Sequence, residues 1–180
     1  MRCIFGCWMV MAMVLTGCAT RPGPEMLTPV ASSEVHQVNI HIATPRERDP
    51  EQLQSFTSIR SPRLNFAHYT ISIPPNHQAS AIEWPQTLPP DPATSFATVA
   101  YAHLDQAGFG DQLAAGGEGK RNVVVFVHGY NTNFTEGLYR MAQIVADTST
   151  YGQLAGRGWE WVAIAYLLGG LWLWQRKVIG

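Results

Sequence analysis

Residues 122–134 read N-V-V-V-F-V-H-G-Y-N-T-N-F, and they constrain the fold more than any other stretch of the chain. Val123 to Val127 is apolar without alternation, the pattern of a parallel strand buried on both faces. His128 and Gly129 close it and a short polar turn follows. Asn133 stands where a helix cap is needed, with Glu136 three positions on in the capping-box place. Leu138, Met141, Ala142 and Val145 then recur at i, i+3, i+4 and i+7, one apolar stripe along a helix. A strand feeding a helix through a tight turn is half of a βαβ unit. It predicts an α/β domain on a mostly parallel sheet.

Upstream, Val35, Val38, Ile40 and Ile42 give an imperfect alternation that predicts a strand over 34–43. Residues 44–65 are polar, and Pro45, Pro50 and Pro62 argue against a long helix there. Residues 66–73, F-A-H-Y-T-I-S-I, predict a second strand that Pro74 and Pro75 end. Four prolines between 76 and 94 predict a long, mostly extended excursion. A short strand is expected over 96–102, and a glycine-rich loop over 109–121. No internal repeat is present.

The first residues have the anatomy of a secretory signal. Arg2 supplies the positive start, residues 3–15 are apolar with Gly6 interrupting, and small residues precede Cys18. The apolar part is too short to cross ~30 Å of hydrocarbon. Leu15-Thr16-Gly17-Cys18 resembles the lipobox of bacterial lipoproteins, which implies cleavage before Cys18 and its acylation. Residues 1–17 are then the signal peptide, the alternative being a plain signal peptide or an uncleaved anchor, and 18–34, rich in Pro, Thr, Ser and Ala, reads as a flexible tether. A mature chain starting at Cys18 keeps no second cysteine for an intramolecular disulfide. Several acyl chains on Cys18 imply stable membrane attachment. Ala19 after the cysteine, by resemblance to Gram-negative lipoprotein sorting, implies the outer membrane. The expected location is the cell envelope, lipid-anchored at the periplasmic face.

The net charge of −1, with lysine only at Lys120 and Lys177, offers no basic field for nucleic acid. Six histidines, at 36, 41, 68, 77, 103 and 128, invite a metal reading. None forms H-x-x-x-H or has metalloprotease spacing to a carboxylate. His36 and His41 fall on opposite faces of a strand, and His68 and His77 are expected to face solvent. No metal and no cofactor is expected.

Acyl transfer needs donors aimed at the oxygen that becomes negative, and backbone N–H groups between strand and helix can supply them. The start of a helix favours that charge. His128, Gly129, Tyr130 and Asn131 make such a turn, with the Tyr130 and Asn131 amides as donors and Gly129 allowing close approach. The alternative is that His-Gly simply closes the strand, with His128 hydrogen-bonded to the loop.

V-N-I-H-I-A-T, F-T-S-I-R-S-P-R-L-N-F-A, I-S-I-P-P-N-H, I-E-W-P, D-P-A-T-S-F-A-T and V-F-V-H-G-Y-N-T-N-F occur in that order. With them residues 35–150 resemble the N-terminal half of the bacterial α/β-hydrolases grouped as a domain of unknown function, DUF900. The resemblance implies a lipoprotein or secreted serine hydrolase of esterase or lipase type, and an incomplete α/β-hydrolase fold over 35–161. It implies a small ester-like substrate only where the domain is complete. In such folds the order is Ser, then Asp or Glu, then His, with the serine in G-x-S-x-G at a later elbow. No G-x-S-x-G occurs here. The 52 residues after His128 hold no histidine, no cysteine and one serine, Ser149, in D-T-S-T-Y. No residue is therefore assigned a catalytic role.

Residues 162–174 are almost continuously apolar, and 162–180 departs from the family pattern. Its start reads as the next parallel strand and the rest as an atypical apolar tail. The expectation is an envelope lipoprotein of the α/β-hydrolase family, truncated before the nucleophile elbow and inactive as this chain. The alternatives are a non-enzymatic, membrane-anchored binding module or a remnant, and a weaker one makes 162–174 a second membrane segment.

Overall fold

The computed structural model describes residues 21–32, 36–115, 123–129, 131–154 and 162–166. Cys18, Tyr130 and the apolar residues beyond Tyr166 lie outside the described residues. The strands are β1 (Gln37–Arg48), β2 (Phe56–Ser72), β3 (Ala97–Leu104), β4 (Val123–Val127) and β5 (Val162–Tyr166). The helices are α1 (Gln106–Ala115) and α2 (Phe134–Leu154). The five strands form one sheet in the order β3-β2-β1-β5-β4.

The sheet is mixed rather than mostly parallel. β1 pairs antiparallel with β2, and β2 with β3, whereas β5 runs parallel to both β1 and β4. The reason is the short β1–β2 connection, which returns the chain beside itself and leaves no room for a crossover. β2 also begins ten residues before the predicted 66–73. Its first part, with Pro62 inside it, takes the place of the polar stretch assigned to no element. Among the described residues β4 is the last strand in the order, and there Val125 and Val127 are 55% and 42% exposed, where burial on both faces is expected.

Strand alternation divides the helices between the two faces. Ile40 and Ile42 pair with Tyr69 and Ala67, and these join Phe134, Leu138, Tyr139, Met141, Ala142 and Val145 of α2 in the core. The predicted stripe is thus the buried one. On the other face, His41 pairs with His68 and Ala43 with Phe66. There Phe66 meets Phe109 of α1 at 4.8 Å between ring centroids, and Gln112 of α1 bonds His41. The glycine-rich stretch expected as a loop is helical as far as Ala115. Asp105 starts it, its Oδ1 accepting from the Gly108 amide at 2.7 Å and its carbonyl from Phe109. Aromatic packing of Phe109 on the sheet offsets the low helix propensity of Gly108 and Gly110.

The described part of the expected tether, residues 21–32, is docked. Gly23 precedes a 3-10 turn, Pro24–Leu27, whose Leu27 is fully buried. Tyr139 donates to the Met26 carbonyl at 2.9 Å, Thr135 to that of Gly23, Asn133 to that of Pro22, and the Val30 amide to Thr98. Pro24 suits the first position of the 3-10 turn, where no bond within the turn needs its missing N–H. Residues 76–94 do form the expected excursion, closed by Trp84 stacking on Tyr139 at 5.5 Å.

Candidate functional site

Ala43 of β1 and Val127 of β4 both register with Tyr166 of β5, one on each side. The residues just past them, Arg46 and His128, therefore emerge at the same edge, the carboxyl ends of the parallel strands. In open α/β sheets that edge is where ligands bind. The loop 128–133 crosses it and enters α2.

α2 starts as its sequence dictates. The Glu136 amide donates to Asn133 Oδ1 at 2.8 Å, and the Asn133 amide donates to Glu136 Oε2 at 2.9 Å, a reciprocal capping box. Arg21 then covers it. Its Nε donates to Glu136 Oε1 at 2.9 Å, Nη1 to Asn131 Oδ1 at 3.2 Å, and Nη2 to the Asn131 carbonyl and to Glu136 Oε2. This hydrogen bonding holds the Glu136 carboxyl below its usual range. Asn131 is thus an anchored corner of the loop, and Gly129 is exposed with open space where a Cβ would stand.

His128 is buried at 5% exposure, and its Nδ1 donates to the Gly129 carbonyl at 2.7 Å. That bond fixes the tautomer, leaving Nε2 as a bare acceptor, and Nε2 is buried without a hydrogen-bond partner among the described residues. Burial pushes the imidazole below its ordinary range; the Gly129 bond opposes this and the nearby Arg46 charge adds to it. The ring is a neutral acceptor, suited to a hydroxyl or a water. Arg46 is half-buried and donates from Nη2 to the Thr132 carbonyl at 3.0 Å, while Asn65 donates to the Arg46 carbonyl at 2.8 Å.

The structure brings His128, Gly129 and Asn131 together, and adds Arg46 and Arg21, which nothing in the local pattern singled out. Among the described residues no serine or cysteine hydrogen-bonds to His128. A second polar constellation also has no signature in the sequence. His77, expected to face solvent, has Nδ1 2.8 Å from Glu83 Oε2 and Nε2 3.1 Å from Asp147 Oδ1, all three side chains mostly buried. The Ser80 amide donates to Asp147 Oδ2 at 2.9 Å, and Ser80 has a positive φ of 68°. His68, also expected outside, lies 4.8 Å from His41 ring to ring. Among the described residues no group of three His, Cys, Asp or Glu is placed to hold a metal ion. None of the described helices is long and apolar enough to cross a membrane.

Residues 105–167 match the family model of an alpha/beta hydrolase of unknown function, DUF900. The match takes in α1, β4, the His128 loop, α2 and β5, whereas residues 35–104 lie before it. Two short likenesses to curated proteins also occur, and in both the relative is the same component of an ion-translocating oxidoreductase complex. The Alcanivorax borkumensis protein is 42% identical over 50 residues, 28% of this chain and 15% of that one. The Citrobacter koseri protein is 61% identical over 28 residues, 15% of this chain and 8% of that one. The chain thus spans only a small part of the length of these relatives. No solved structure matches the chain.

Proposed function

We propose that this chain is an envelope lipoprotein, acylated at Cys18, whose domain is part of an α/β-hydrolase fold and presents 128–131 as its oxyanion loop. By itself it performs no serine-hydrolase turnover. One observation carries this reading: the buried, neutral His128 and its loop sit at the carboxyl edge of the parallel strands with no nucleophile bonded to them among the described residues, and the 180 residues contain no G-x-S-x-G. An esterase of this class needs a serine activated by a base. A small ester-like substrate belongs to this reading only where a nucleophile completes the site. The test is to expose the purified full chain to a fluorophosphonate probe. No serine should be labelled, and labelling at any serine overturns the inactivity. Acylation is read separately, by mass spectrometry of the N-terminal peptide in cells carrying the chain or its Cys18→Ser variant.

A non-catalytic binding module is the second reading. The docking of Gly23 and Met26 on α2 and the buried α2 stripe favour it over a remnant, because both are features of a packed unit. A cooperative, reversible melt of the full chain is the expected result, and a broad, irreversible one counts against it.

A further inference from the structure

The β1–β2 end of the sheet carries a surface that neither the core nor the candidate site uses. From Thr44 to Arg46 β1 advances two residues, whereas β2 goes from Asn65 to Arg60. Ser61, Pro62, Arg63 and Leu64 are therefore left out of the β1 ladder, and β3 pairs with β2 only from Phe66 onward. Pro62 is tolerated because no ladder bond needs its missing N–H. Three of the large hydrophobic residues most exposed among the described ones lie here: Leu53 at 62%, Ile59 at 59% and Leu64 at 46%. Arg48, Arg60 and Arg63 are exposed beside them and form no ion pair among the described residues. The acids nearby are Glu47, Asp49 and Glu51, and Asp49 is engaged in capping the turn through the Glu51 and Gln52 amides. The tip is held in shape, since His103 Nε2 donates to the Leu53 carbonyl at 2.8 Å.

The orientation of this end also matters. Arg46, paired with Arg60, reaches the Thr132 carbonyl, and Arg21 bonds to Asn131 next to it. The docked N-terminal segment thus starts at the same edge of the sheet as this β1–β2 end. Cys18 precedes Arg21 by three residues, a reach of at most about 11 Å at ~3.6 Å per residue. An acylated Cys18 would bring the bilayer against this edge.

We propose that residues 53–64 dock on an anionic lipid surface, with Leu53, Ile59 and Leu64 entering the interface and Arg48, Arg60 and Arg63 meeting lipid phosphates. The approach direction rests on the acylation reading, whereas the docking chemistry does not. Apolar side chains flanked by unpaired arginines bind such interfaces by combining apolar burial with charge attraction.

The experiment uses the full chain with Cys18→Ser, so that no acyl group contributes. Hydrogen–deuterium exchange is followed with phosphatidylglycerol-containing vesicles and with phosphatidylcholine vesicles. Slower exchange over 53–64 is expected with the former only. Arg60→Glu with Arg63→Glu should weaken that vesicle binding about tenfold or more, while the protein's melting transition is retained. Ile59→Ser with Leu64→Ser should weaken it independently. The proposal is overturned by unchanged exchange over 53–64 with the anionic vesicles, by equal protection with both kinds, or by protection that survives both double variants. Protection that grows with protein concentration in the absence of vesicles would assign the surface to a second copy of the chain instead. Protection by anionic vesicles together with no acylation of Cys18 in cells would sustain the docking and overturn the anchor.

Discussion

Arg46 Nη2 donates to the Thr132 carbonyl at 3.0 Å, joining the end of β1 to the loop that enters α2 across 86 positions of sequence. The guanidinium is half-buried and its other directed contact is a longer one, to the Thr57 carbonyl at 3.5 Å. Its main structural use is to hold the loop. Arg46→Met keeps the aliphatic stem and removes the charged donor. It should cost about 2 kcal/mol, the usual worth of a hydrogen bond from a charged group. The check is a urea titration. The exchange of the amides in 131–134 should rise in the variant, and unchanged exchange there would show that the loop is held by α2 alone.

The capping box gives a second expectation. Asn133 Oδ1 accepts the Glu136 amide, and its Nδ2 donates to the Pro22 carbonyl at 2.8 Å, so one side chain both starts α2 and fastens the N-terminal segment. Asn133→Ala should lower stability by about 1–2 kcal/mol, and Asn133→Asp, which keeps the cap but loses the donor to Pro22, by less. In the Ala variant the Val30 amide, bonded to Thr98 at 2.9 Å, should stay protected, because that contact lies beyond the fastening. Equal losses for the two variants would show that the cap itself contributes little.

These two sites mark the limit of what the sequence discloses. The Asn133 cap, the α2 stripe and the β4 run are local patterns, and local patterns survive folding when tertiary contacts agree with them. The position of β4 at the end of the described strands is a property of sheet order, which periodicity does not encode. The first part of β2 is obscured because its ladder to β1 slips around Pro62, so no alternation marks it. α1 is hidden by glycines whose cost is offset by the contact of Phe109 with Phe66. The docked segment reads as a linker because proline and small residues have the same composition in both roles. Arg46 and Thr132, like His77 and Asp147, meet only through the fold, so no spacing announces them. At the candidate site, His128, Gly129 and Asn131 are legible and the arginines around them are not.

His77 ties the proline-rich excursion to α2, with a carboxylate at each ring nitrogen and the Phe96 ring tilted against it at 5.3 Å between centroids. Removing the ring leaves Glu83 and Asp147 mostly buried without a shared partner. His77→Phe should therefore destabilise by about 3 kcal/mol, as expected when one member of a buried charged network is deleted. Adding Asp147→Asn should restore part of the loss, because the remaining amide can still accept from the Ser80 amide. A double-mutant cycle by urea unfolding reads the coupling. Strictly additive losses would mean that His77 and Asp147 act independently.

Five histidines give the protein a dependence on pH with a definite sign. Burial, in each case the largest cause, pushes His36, His41, His68, His103 and His128 below the ordinary histidine range. Between His41 and His68 a further effect operates, since the charge of the former disfavours protonation of the latter. A base whose folded value lies below its unfolded one takes up its proton more readily in the unfolded chain. Stability should therefore be greatest above pH ~7 and decline as pH falls through about 6.5, the unfolded histidine value. A second decline follows through the carboxylate range, because Glu136, chiefly through its bond to Arg21, is held below its ordinary value and loses that stabilisation on protonation. Urea midpoints measured from pH 8 to pH 4 should show both. His68→Gln removes one titrating ring and the charge effect on it, and should flatten the upper decline while leaving the lower one in place. A parallel profile in that variant would mean that the His41–His68 pair does not contribute to the acid sensitivity.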